Sequence, residues 1–212
     1  MVALTNINWF YPSLFYGAVI YVAAQRYFYS GDGSPELGLE EQRAQNTAVQ
    51  TYLDQMTELL LQEKLRTQPP DSDVHLLARA LTMTVLQKLD GNHKRGVVLF
   101  LYESHLIDAD HPLLGVHRAD LRRANLDGLS LRNAYLRGAN LRGADLRGSD
   151  LSFADLSSAD LRESDLSSAD LSGSILSGSI LSGASGTTSE ELENQAGTLG
   201  GATMPDGQKY ED

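Results

Sequence analysis

Three histidines, His105, His111 and His117, recur every six residues beside Asp108 and Asp110. Imidazole nitrogens and carboxylates are ligands for zinc and related ions, so a metal-dependent activity is one reading of this junction. The spacing matches no common ligand pattern, and no metal ligand or cofactor is assigned. Serine is frequent, but it follows a five-residue repeat, which accounts for it without a nucleophile. The glycines follow the same period and form no phosphate-binding loop. No residue is given a catalytic role, and the chain is read as a non-enzyme. A second set is more regular. Arg122, Arg142 and Arg162 lie twenty residues apart, each just after a leucine, with Asp120, Asn140 and Asp160 just before. If the backbone completes one circuit in twenty residues, these arginines stack into a basic ladder, a candidate binding face for an oppositely charged partner.

The elements that position this ladder follow from a period of five. Residues 116–185 divide into units such as GANLR, GADLR and SADLS. Leucine falls at Leu121, Leu126, Leu131, Leu136, Leu141, Leu146, Leu151, Leu156, Leu161, Leu166, Leu171, Leu176 and Leu181. Two residues before each stands Ala or Ser, with Leu129 the one departure. Repetition at a fixed interval decides the fold before any local signal. A helix repeats near 3.6 residues and a strand near 2, so a strict five suits neither. It suits a chain that turns a corner every five residues. Leucine and the small residue, two apart, then point to the same side and form a repeat core. The recurrent Gly138, Gly143, Gly148, Gly173, Gly178 and Gly183 fall where tight turns need positive φ. Four corners close a square coil of twenty residues. Leu129 exceeds the space its position offers, so a local bulge or an end position is expected there.

The A(D/N)LXX units resemble the pentapeptide-repeat family. The helical stretches AVQTYLDQMTELLL and HLLARALTMTVLQKLDG, and the tail GATMPDG, resemble bacterial members with an N-terminal membrane segment and a helical region. The resemblance implies a right-handed quadrilateral β-helix. It also implies that biochemical activity is rarely established, and that one branch mimics DNA and acts on DNA gyrase.

The flanks divide further. Residues 1–29 form a candidate membrane segment: the first 25 carry no charge, and Trp9, Tyr11, Tyr16 and Tyr21 are types that favour the membrane–water boundary. Membrane contact is placed on residues 7–29. Residues 30–38 read as a linker rich in Gly, Ser and Pro. Residues 39–107 read as helices. One carries Val49, Tyr52, Leu53, Met56, Leu59, Leu60 and Glu63 on one stripe. Pro69 and Pro70 end it. Asp71, Ser72 and Asp73 offer caps for a second, with Val74, Leu77, Leu81, Val85, Leu86 and Leu89 inward. Gly91 and Asn92 are expected to break that helix and start a third. Residues 186–212 form a cap and tail. The run from Thr188 to Glu191 is a capping box opening a short helix, whose Leu192 is expected to cover the outward Ile175 and Ile180. Leu199, Ala202 and Met204 then restore the five-residue phase. The class is α+β: helical segment, β-helix, C-terminal cap helix.

Net charge is −11, from 17 basic and 28 acidic side chains, with no cysteine. That sign argues against direct nucleic-acid binding by phosphate neutralisation. The absence of thiols removes disulfides and Cys-based metal sites. Within the repeat, residues 116–147 hold seven Arg and three Asp, whereas 148–185 hold one Arg and six acids. The function read from these features is a non-catalytic protein-binding or structural scaffold. It is membrane-associated with the repeat in the cytoplasm, or otherwise cytoplasmic, with an unidentified protein partner and self-association as a further option. The alternatives are a DNA-mimicking regulator of gyrase and the metal-dependent activity at the histidine junction.

Overall fold

The computed structural model describes residues 38–211. The candidate membrane segment and most of the linker lie outside the described residues. Among the described residues, no helix is long and apolar enough to cross a membrane.

Three helices come first: α1 (Leu39–Leu61), α2 (Asp73–Lys88) and α3 (Gly91–Glu103). Helix α1 buries Val49, Tyr52, Leu53, Met56 and Leu59, the 3-4 stripe of an amphipathic helix. Tyr52 meets Phe100 of α3 edge-to-face at 6.0 Å and shares a buried 3.0 Å hydrogen bond with Thr82 of α2. Burial pushes the Tyr52 hydroxyl well above its ordinary pKa. Glu63, assigned above to the apolar stripe, is exposed beyond the helix end.

Helix α2 starts at the expected cap: the Ser72 side chain accepts from the His75 backbone N–H. Its buried face differs from the expected one. His75, Ala78, Thr82, Val85 and Leu86 are buried, while Leu77 is 50% exposed. The buried stripe thus runs through the small Ala78 and Thr82, and Thr82 bonds Tyr52 of α1. Gly91 and Asn92 do not break the chain. Asp90 is the cap, accepting from the His93 N–H at 2.9 Å, and Gly91 is the first helical residue. The His93 ring joins Asp90 to Asn46 of α1, which fixes this corner.

From residue 117 the chain winds as a coil. Parallel bridges join residues twenty apart: Asp120, Asn140, Asp160 and Ile180 on one side, and Asn125, Asp145, Asp165 and Ser185 on the next. The third side joins Ser130, Asp150 and Asp170, and the fourth Tyr135, Asp155 and Ile175. With four such sides per circuit, the column is a four-sided parallel β-helix. Each rung is a single bridge rather than an extended strand, because a corner follows every five residues. The corners are β-turns. At one, the Ala124 N–H donates to the Leu121 carbonyl at 3.1 Å, and Arg123 takes φ 54°. The equivalent residue is at positive φ in every unit, whether Gly138 and Gly148 or Asn133, Phe153, Ser158 and Glu163.

Aspartate and asparagine have a structural task here. The Asp or Asn Oδ1 accepts the backbone N–H two residues on, at Asp120, Asn125, Asn140, Asp145, Asp150, Asp155, Asp160, Asp165 and Asp170. This Asx geometry pins the corner that follows each leucine. The thirteen leucines point inward, none more than 2% exposed. Leu129 does not bulge. Its carbonyl accepts from Asp150 at 2.9 Å and the ladder keeps register, because the side chain packs at 7% exposure against the first coil's interior.

Both coil ends are closed by hydrogen bonding. At the start, the Gly91 carbonyl accepts the Asn125 N–H at 2.9 Å, and Ile107 accepts from Tyr135. Lys94 donates to the Arg122 carbonyl, Arg95 to those of Asn125 and Asp127, and Tyr102 to that of Arg132. These groups replace the coil that would lie beneath. At the far end α4 (Ser189–Gln195) opens on the expected Thr188–Glu191 capping box. It occupies the place of a coil side and adds three residues: Ile175 and Ile180 pair with Thr198 and Thr203, twenty-three on. Leu192 is fully buried in the core and does not cover Ile175 and Ile180, which remain 40% and 37% exposed. A final segment returns antiparallel, with Tyr210 donating to Ala202.

Candidate functional site

The three histidines do not converge. His105 pairs with Asp108 at 3.0 Å on the surface, and His117 packs its ring over Gly138. Among the described residues no group of three His, Cys, Asp or Glu side chains could hold a metal ion. The reason is topological. His105 follows α3, His111 lies on an exposed loop and His117 already belongs to the coil.

Arg122, Arg142 and Arg162 do come together. They line one groove of roughly 800 Å³ that runs up the first side of the column from the α2–α3 junction. Gln87, Leu89, Asp90, Gly91 and Lys94 form its lower wall; Asp120, Arg123, Asn140, Gly143, Asp160 and Glu163 complete it. One-coil stacking sets the arginines at intervals of about 4.8 Å along the axis.

Each guanidinium is held by a carboxylate. Arg122 makes a bidentate pair with Asp120, at 2.9 Å from Nε and 2.7 Å from a terminal nitrogen. Arg162 repeats this with Asp160. The middle rung differs because Asn140 stands where aspartate would be. Arg142 therefore reaches to the next coil and takes Glu163 at 2.6 Å. A guanidinium has five N–H groups, so each pair leaves three unused by its carboxylate. The carboxylates respond. Arg122 holds Asp120 down at about 2, and Arg162 and Arg142 hold Asp160 and Glu163 below the usual carboxylate range. Lys94 is 5% exposed, which pulls its pKa down, and it donates to Asp120 at 3.3 Å. Its burial carried no signal in the sequence beyond its place on the inner face of α3.

An uncompensated acidic face of the kind DNA imitation would use is not built on the first two sides. Asp120, Asp145 and Asp160 are each paired with the arginine two residues on, and the aspartate Oδ1 atoms are engaged at the corners. The sequence places Asp120 and Asp160 beside these arginines, and the structure shows that they are ion pairs.

Residues 117–152 and 144–183 match the family of pentapeptide repeats, in eight copies. The match covers the coil and points to no catalytic family. No curated protein matches the chain by sequence. Among solved structures, the pentapeptide repeat protein of the Arabidopsis thaliana thylakoid lumen is 31% identical over 42% of this chain and 54% of its own, with TM-score 0.28. HetL, a pentapeptide repeat protein involved in heterocyst differentiation regulation in the cyanobacterium Nostoc sp. strain PCC 7120, is 36% identical. That match spans 42% of this chain and 41% of HetL, with TM-score 0.24. The chain thus spans about half the length, or less, of these two proteins.

Proposed function

We propose that this chain, whose residues 117–183 carry pentapeptide repeats wound as a β-helix, is a non-catalytic protein-binding module. Its partner is engaged through the groove beside Arg122, Arg142 and Arg162. The observation that carries the reading is the set of three guanidiniums held one coil apart in a single groove, each oriented by a carboxylate. Orientation matters because a free arginine loses side-chain entropy of up to about 2 kcal/mol on binding, and here much of that is already lost. The test is cross-linked capture from cells with the full chain beside the Arg122→Ser/Arg142→Ser/Arg162→Ser variant. Loss of a reproducible partner in the variant supports the groove, and an unchanged catch removes it.

Membrane association through residues 7–29 is a second element of the proposal and rests on that segment's apolar, aromatic composition. Fractionation of the full chain beside one lacking residues 1–29 tests it. Equal recovery of both in the soluble fraction refutes it.

A further inference from the structure

We infer that the partner presents an acidic α-helix, lying in the arginine groove parallel to the coil axis, with carboxylates spaced i, i+4, i+7. This rests on the groove being the binding face and adds the shape of what it binds.

The sign of the partner follows from which charges lie outermost. On the first rung the Arg122 side chain is 59% exposed and its Asp120 partner 14%. On the third, Arg162 is 43% exposed and Asp160 20%. These aspartates are turned inward and occupied by the corner N–H and by Nε. What faces solvent on both rungs is guanidinium, on a chain of net charge −11. Between them Arg142 is 46% exposed and its Glu163 partner 61%, so the middle rung shows solvent both charges. A ligand bearing carboxylates meets donors at Arg122 and Arg162, and at the middle rung it shares Arg142 with Glu163.

The shape follows from pitch. Three rungs span two coil spacings, about 9.6 Å. An α-helix places residues i and i+7 on one face about 10.5 Å apart, with i+4 between them. A β-strand places three same-face side chains over about 13.6 Å. The helix misses the rungs by about 1 Å over its length and the strand by about 4 Å. A helix some 11 Å wide and two turns long occupies on the order of 1,000 Å³. It would therefore seat in the groove of roughly 800 Å³ without being engulfed.

The test is fluorescence anisotropy with the full chain and two labelled peptides. One is a side-chain-stapled helix with Glu at i, i+4 and i+7; the other is an extended Thr-rich peptide with Glu at i, i+2 and i+4. The helical peptide should bind, weaken roughly tenfold or more in about 0.5 M salt, and lose a similar factor to the triple Arg→Ser variant. Arg142→Ser alone, at an exposed rung with no aspartate beneath, should lose roughly threefold with the fold intact. Equal or tighter binding of the extended peptide overturns the helix and leaves the groove standing. Binding of the helical peptide that is indifferent to both variants overturns the siting. Failure of both peptides to bind, beside arginine-dependent capture from cells, overturns the acidic helix and leaves the groove.

Discussion

Gly91→Ala separates local helix propensity from the fit between the two halves of the molecule. Alanine is favoured over glycine by about 1 kcal/mol in a helix interior and by less at the first helical position, which Gly91 occupies. Gly91 has no positive φ that would require glycine. Propensity therefore favours the substitution. The fit opposes it: a Cβ on Gly91 would lie 2.1 Å from the Arg123 carbonyl oxygen and 3.2 Å from its carbon. Both are backbone atoms of the first coil, so no side chain can move aside. Relieving the clash moves α3 outward by about 1.4 Å, given ordinary contacts near 3.5 Å. That stretches the Asn125 N–H to Gly91 bond of 2.9 Å and the Lys94 and Arg95 contacts at 3.0 and 2.7 Å. Each buried group left without a partner costs about 1–3 kcal/mol. With one or two lost, the variant should be less stable by roughly 2–4 kcal/mol, against the propensity gain. Urea unfolding gives the magnitude, and hydrogen exchange at the Asn125 amide gives the location. Gly128→Ala is the control. It has open space but φ 63°, and should cost about 1–2 kcal/mol from the left-handed backbone alone. A Gly91→Ala variant as stable as the parent, with Asn125 still protected, would refute the view that α3 is seated by backbone contact.

Three further outcomes are expected. Ser158→Gly, at a corner with φ 58°, should stabilise by about 1 kcal/mol in thermal unfolding, by relieving left-handed strain. Asn140→Asp should draw Arg142 onto its own coil, and the Glu163 carboxyl, now held low by Arg142, should rise towards its ordinary value in an NMR titration. Acid should unfold the column. Asp120, Asp145, Asp160, Asp165 and Asp170 have depressed folded pKa values, Asp120 near 2. Their stabilisation is complete above the unfolded value near 3.9 and is lost as pH falls towards 2, which denaturant midpoints measured below pH 4 should follow.

The coil was legible because five is incompatible with helix and strand alike, so the thirteen leucines left one way to bury themselves. The capping box at Thr188 was legible for a similar reason: two side chains and two backbone N–H groups satisfy each other locally. What escaped depends on which surface meets which. Leu77 fits an apolar stripe, yet Ala78 and Thr82 are the buried residues, and Thr82 is held by Tyr52 of α1. Leu192 was placed over Ile175 and Ile180 but drops into the core and leaves both isoleucines exposed. The arginine groove was half legible. Twenty-residue spacing aligned the three side chains, but the pairing of Arg142 with Glu163 hangs on one Asp-to-Asn difference, and Lys94 enters the site from a helix twenty-six residues earlier than Asp120.

The five-residue corner gives the chain a natural unit of change. Each coil touches only its neighbours, and the two caps are built from chain outside the regular units. Inserting twenty residues within the column would add one storey, about 4.8 Å tall, and leave both caps facing as before. Inserting five would lengthen it by only about 1.2 Å and swing the far cap a quarter turn around the axis relative to the three helices. Duplication in multiples of five therefore acts as a ratchet. Evolution can re-aim one end of this molecule against the other in right-angle steps, re-pairing only the coils on either side of the insertion.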